Sequence, residues 1–259
     1  MIIDSHVHLP SRKNGRTLDY SKRDLIQQLD VWRIDYAVVI PDNIPKSTIG
    51  DLDEVLSLVE KEKRLFVMGT IDIKKNAASQ IQKLDLLFQM QKIVAVKIFP
   101  GHDPIYPTDR RLTPVYDLCV KYDRPIVIHT GGNRRSKYND PKFIVKIANQ
   151  HPNIKIVISH YFFPRMRYCY ELTKPYENIY FDTSALADDE VVRLTGLEKI
   201  REILTLTAKE RPNNVLFGTD YGACSIQKHI ALIESLALSK EAQHKLFAEN
   251  AIQLFRLRL

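Results

Sequence analysis

The segment Ile3-Asp4-Ser5-His6-Val7-His8 places two histidines two residues apart in a short apolar run that stops before Pro10. In a strand, residues two apart leave from the same face, so His6 and His8 converge on one point. Such imidazole pairs hold zinc and other divalent metals. A pair alone fits ordinary polar packing equally well, and the rest of the chain has to decide. Three further polar residues close apolar runs: His129 in Ile126-Val-Ile-His-Thr, His160 in Ile156-Val-Ile-Ser-His and Asp220 in Leu216-Phe-Gly-Thr-Asp. Lys97 lies within Val94-Ala-Val-Lys-Ile-Phe. A lone histidine ending a strand is usually a satisfied structural residue. Four histidines and an aspartate at matching ends are not, because gathering them costs several kcal/mol unless a metal or hydrogen bonds satisfy them.

The elements that would position them recur regularly. Eight apolar, β-branched runs appear in order: Ile2–Leu9, Tyr36–Ile40, Leu65–Ile71, Val94–Phe99, Ile126–Thr130, Ile154–His160, Ile179–Thr183 and Val215–Thr219. Their starts lie 25 to 36 residues apart, the length of a strand plus a crossover helix. The intervening stretches carry helical stripes, such as Leu25, Leu29 and Trp32 behind an expected cap of Ser21 with Asp24. Thr113-Pro114 and Asp140-Pro141 each read as a cap before a first-turn proline. The stretch Gln227–Leu259 suits two helices broken near Leu238-Ser239. Apolar strands alternating with amphipathic helices give a parallel sheet covered by helices. Eight such units in 259 residues predict an α/β fold, a (β/α)8 TIM barrel, as a single domain over residues 1–259. Active sites of that fold sit at the C-terminal ends of the strands. The candidate residues all fall there.

Composition narrows the class. Hydrophobic residues are 44% and charged residues 27% of the chain, as in a globular protein with a sizeable core. No apolar run reaches the ~20 residues needed to span a bilayer, and no basic-then-apolar leader opens the sequence. Cys119, Cys169 and Cys224 share no motif and read as free thiols of a cytoplasmic protein. The net charge of +7 is scattered along helices rather than gathered in a stripe, which speaks against nucleic acid. A small, anionic substrate would benefit from that field.

Other residues stay open. Asp182 and Ser184, in Phe181-Asp-Thr-Ser, read as loop caps or as hydrogen-bond partners of the site. Arg134, Arg135 and Lys137 follow His129 closely; such a charge run is a solvated face or a carboxylate-binding loop, since guanidinium grips carboxylate bidentately. His151, His229 and His244 are expected at the surface. His102 could reach the mouth, with a solvent-exposed loop as the expectation.

The set His6-x-His8, His129, His160 and Asp220 resembles the metal-dependent amidohydrolase superfamily. The strings Ile3-Asp-Ser-His-Val-His, Val96-Lys-Ile-Phe-Pro-Gly, Ile128-His-Thr-Gly, Tyr180-Phe-Asp-Thr-Ser-Ala, Leu216-Phe-Gly-Thr-Asp-Tyr and Ala248-Glu-Asn-Ala-Ile-Gln-Leu-Phe are similar to its amidohydrolase-related branch, family two. The resemblance runs from residue 2 to about residue 257. It implies a divalent metal, zinc by expectation, on His6, His8, His129 and Asp220, with a metal-activated water as nucleophile. Asp220 would take the proton from that water and pass it to the leaving group, and His160 would assist. Lys97 in some members is carboxylated and bridges two metals, with His129 and His160 on the second; a single ion beside an unmodified Lys97 is the expectation. Lys97, Arg134 and Arg135 are the candidate substrate-binding residues. The implied activity is hydrolysis of a small-molecule amide, lactone or related carbonyl compound. Nonoxidative decarboxylation of a small carboxylic acid is the alternative. A TatD-like nuclease fits less well, because Lys97 stands where those proteins usually carry glutamate. Homo-oligomers are compatible with all of these readings.

Overall fold

The computed structural model describes residues 1–12, 15–132 and 136–259. Its strands are β1 (Ile3–Val7), β2 (Tyr36–Val39), β3 (Leu65–Val67), β4 (Gly69–Thr70), β5 (Val96–Ile98), β6 (Ile126–Ile128), β7 (Ile156–Ile158), β8 (Ile179–Asp182) and β9 (Val215–Leu216). All neighbouring pairs are parallel, in the orders β1-β2-β3 and β4-β5-β6-β7-β8-β9. β3 and β4 share the third position, interrupted at Met68, whose N–H donates to Val39 O (3.0 Å) while Gly69 N–H donates to Ala95 O (2.8 Å). The last strand returns to the first: Ser5 N–H donates to Phe217 O (2.9 Å), Asp220 N–H to His6 O (2.8 Å) and His8 N–H to Tyr221 O (2.7 Å). The fold is the expected eight-position α/β TIM barrel, with strands shorter than their apolar runs. His6 and Lys97 lie within β1 and β5, whereas His8, His129, His160 and Asp220 fall just beyond the ends of their strands.

The strand alternation sorts the apolar residues into two layers. Val38, Met68, Ala95, Val127, Val157 and Leu216 cluster inside the barrel, against Ala251, Leu254 and Phe255 of the helix Asn250–Phe255. Asn250 Nδ2 donates to Val215 O (2.7 Å) at the start of β9, so this helix closes the N-terminal end. Two residues farther along the same faces come Lys97 after Ala95 and His129 after Val127. Val39, Val96, Ile126, Ile156 and Phe217 instead join Leu25, Leu29, Leu84, Ile144 and Ile200 of the outer helices. Val7 belongs to this outer layer, which leaves its neighbours His6 and His8 facing inward.

Several local expectations shift by a turn. Thr17, not Ser21, caps the helix Leu18–Val31, its side chain accepting from Tyr20 N–H (3.2 Å). Ser21 is buried one turn inside and donates to Thr17 O (3.3 Å). Thr113 is the first residue of its helix rather than its cap, because a 3₁₀ turn capped by Asp109 precedes it. Asp140 caps its helix as anticipated, and Ser239, at the expected break, caps the helix Lys240–His244.

Gly218 makes the closure possible. A Cβ there would lie 2.9 Å from His6 Cβ, closer than the packed strands tolerate. Gly218→Ala should cost about 1–3 kcal/mol through overpacking, measured by urea unfolding. Wild-type stability in that variant would contradict this account of the seam.

Candidate active site

His6, His8 and Asp220 meet at the β1–β9 seam, because the backbone bonds just described put their side chains next to one another. His6 Nε2 lies 3.5 Å and His8 Nε2 3.4 Å from Asp220 Oδ1, and the three donor atoms fall within 4.8 Å of one another. Asp220 adopts a left-handed backbone, φ 62°, at an expense of about 1–3 kcal/mol for a residue with a Cβ.

Each imidazole is fixed from behind. His6 Nδ1 donates to Asp182 Oδ2 (2.8 Å) and His8 Nδ1 donates to Ile40 O (2.8 Å). Both Nε2 atoms therefore keep their lone pairs for the cavity, the arrangement by which metal-binding histidines are oriented. Burial, followed by the Lys97 charge, lowers the His6 pKa to about 4 against the pull of Asp182, so the ring is neutral at pH 7. Burial would raise Asp220, but the neighbouring His8, His160 and His6 hold it well below the usual carboxylate range. Two imidazoles, each with its outer nitrogen tied back, and a carboxylate form a nitrogen–oxygen donor set that suits a divalent metal such as zinc.

Asp182 is the residue whose part the sequence left open. Its Oδ2 takes His6 Nδ1–H, and its Oδ1 accepts from His160 N–H (2.9 Å), Ser184 N–H (3.2 Å) and the Ser184 hydroxyl. Burial would raise it too; His6, His160 and Lys97 outweigh that and keep it ionised. Ser184 in turn accepts from His160 Nδ1 (2.8 Å). His160, Tyr161 and Phe162 all have left-handed backbones, with φ of 59°, 48° and 53°. This coil at the end of β7 swings the His160 ring inward, where its Nε2 accepts from His129 Nδ1 at 3.2 Å. Burial, then the nearby His160, His102 and Lys97, lowers His129 far below its ordinary pKa.

The structure thus gathers His6, His8 and Asp220 tightly and stands His129 beside His160 along the same cavity, about 330 Å³ in volume. Lys97 also lines it, 1% exposed, with Nζ donating to Ser159 Oγ (2.5 Å). Burial brings its pKa down to about 8, opposed by Asp182 and Asp220. Arg134 and Arg135 lie outside the described residues. His102 is solvent-exposed and also reaches the mouth, its ring 4.3 Å from that of His129. The expectation for His229 is corrected: it is fully buried, Nδ1 donating to Ser225 O (2.7 Å) and Nε2 accepting from Ala187 N–H (3.2 Å). A helix-borne polar residue looks exposed in sequence, but here it pins the loop after β8.

Residues 3–257 match the amidohydrolase family profile. The chain belongs to the amidohydrolase family. This is a family of enzymes, and a metal-dependent one. None of the curated proteins compared with the chain matches it. An uncharacterised TIM-barrel protein from Bordetella bronchiseptica superposes with a TM-score of 0.80 at 20% identity, over 98% of each chain. An amidohydrolase from Burkholderia multivorans with bound zinc gives 0.73 at 16% identity over 100% of each chain. The 5-carboxyvanillate decarboxylase of Sphingomonas paucimobilis gives 0.69 at 14% identity over 99% of each chain. These likenesses establish the shared fold. No helix among the described residues is long and apolar enough to cross a membrane.

Asp182→Asn keeps the shape but removes the charge that orients His6. Zinc affinity should fall about 10- to 100-fold, read by competition with a chromophoric chelator. Undiminished affinity would show that Asp182 does not orient the site.

Proposed function

We propose that this amidohydrolase-family enzyme hydrolyses a small-molecule carbonyl compound, an amide or a lactone, with a divalent metal held by His6, His8, Asp220 and His129. The observation that carries the reading is the convergence of His6 Nε2, His8 Nε2 and Asp220 Oδ1 within 4.8 Å, with the opposite nitrogen of each ring tied to a fixed acceptor. Zinc is the metal these donors favour. When bound, it supplies Lewis acidity that polarises a carbonyl and lowers the pKa of water. Asp220, held ionised, takes a proton from the attacking water and delivers it to the leaving group, as a general base and then acid does. His160 presents Nε2 to the cavity while Ser184 fixes its tautomer. Lys97, largely protonated at pH 7, offers N–H groups to a substrate oxygen.

One observation favours a second reading, decarboxylation. Lys97 is a buried cation suited to gripping a substrate carboxylate, and one of the fold's relatives is a decarboxylase. Carbon dioxide among the products separates the two reactions.

Asp220→Asn should lower turnover by about 10²–10⁴-fold, the usual contribution of a positioned acid–base group, with the fold intact by circular dichroism. Activity near wild type would overturn Asp220 as the proton carrier.

A further inference from the structure

Two turns that flank β9 hold residues with a Cβ in the left-handed region. Ala185, φ 63°, lies in the loop after β8, and Asp220, φ 62°, in the loop after β9. The first loop opens with Asp182 and Ser184, which hold the rings of His6 and His160. The second carries Asp220 itself. Backbone strain of this kind persists only where the surroundings over-determine it, so both turns need a brace.

A single buried imidazole stands between them. In the second loop, Ala223 and Cys224 N–H donate to Asp220 O (3.1 and 3.0 Å), and the chain runs on to Ser225, the cap of the helix Ile226–Glu234. His229 lies one turn inside that helix and is completely buried. Its Nδ1 donates back to Ser225 O (2.7 Å), which fixes the tautomer and leaves a lone pair on Nε2. Ala187 N–H, in the loop after β8, donates to that lone pair at 3.2 Å. Burial lowers the His229 pKa, against the pull of Ser225 O, Asp220 and Asp188, so the ring is neutral at pH 7 and makes both bonds. Leucine would fill a similar volume but leave the buried Ala187 N–H without an acceptor, which is the expensive way to lose a hydrogen bond. A second link between these segments, Lys228 Nζ to Asp189 Oδ1 (2.6 Å), lies at the surface and holds them weakly.

We propose that His229 is a positioning residue of this site. By tying the start of the helix after β9 to the loop after β8, it sets where Asp220 stands relative to the His6 and His160 rings that Asp182 and Ser184 anchor. It does not line the cavity and acts only through these neighbours. The inference rests on the reading of His6, His8 and Asp220 as metal ligands.

The test compares wild type with His229→Leu, His229→Gln and Leu84→Ala. Leu84 belongs to the outer layer on the helix Ala77–Gln89, between the third and fourth strand positions across the barrel, and its truncation loosens the fold away from the site. Zinc affinity is read by competition with a chromophoric chelator. Metal-free crystal structures give the Asp220 Oδ1 distances to His6 and His8 Nε2, 3.5 and 3.4 Å in wild type. His229→Leu should bind zinc about 10-fold more weakly, the lower end for groups that orient metal ligands, with Asp220 displaced. His229→Gln, whose amide offers one donor and one acceptor, should recover most of the affinity. Leu84→Ala should melt at a lower temperature yet keep its affinity. Wild-type affinity with Asp220 in place in His229→Leu, or an equal loss of affinity in Leu84→Ala, overturns the positioning role. Should wild type itself take up no zinc, the metal-site reading falls, and the metal-free His229→Leu crystal alone decides: a displaced Asp220 supports the brace and an unmoved one overturns it.

Discussion

The seam between the first and last strands is the constraint on which the site depends. Three backbone bonds, Ser5 to Phe217, Asp220 to His6 and His8 to Tyr221, complete the barrel and set the register between β1 and β9. Because the side-chain period of a strand is two, a slip of one residue would turn His6 and His8 into the helix layer and Val7 into the cavity. Gly218 lets the strands approach closely enough. Asp4 reinforces the seam, accepting from Thr219 N–H (3.0 Å), Thr219 Oγ1 (2.5 Å) and His6 N–H (3.2 Å). Closure and function are therefore one event here.

Beneath the seam, Asp182 ties its neighbours together. One buried carboxylate accepts from a ring nitrogen of His6 and from the backbone N–H of His160, so two histidines of the cavity share an anchor. The expense of burying that charge is offset by four hydrogen-bond donors and three nearby cationic or titratable groups. The strained backbones at Asp220 and at His160 to Phe162 concentrate at this same end of the barrel. The apolar cluster and the Asn250–Phe255 helix hold the other end.

Much of this was readable in the residues. Apolar, β-branched runs about 30 residues apart are a strong signal, and the polar residues at the ends of five of them marked the active face. What escaped depended on partners distant in sequence. Nothing around Asp182 distinguishes an anchor from a loop cap until β8 lies between β7 and β9, one strand away from β1. His229 looks like a surface residue on its helix, and only the loop donor Ala187 N–H explains its burial. The first helix began a turn earlier than its Ser21–Asp24 pair suggests, since Thr17 offered an equally good cap with less of the apolar stripe left outside.

The central claim is that this seam holds one divalent metal. Elemental analysis of protein stripped by chelation, reloaded with zinc and desalted tests it most directly. The account predicts about one equivalent of zinc per chain, lost when His6 and His8 are both replaced by alanine. No retained zinc, or a full equivalent surviving that double replacement, would contradict it.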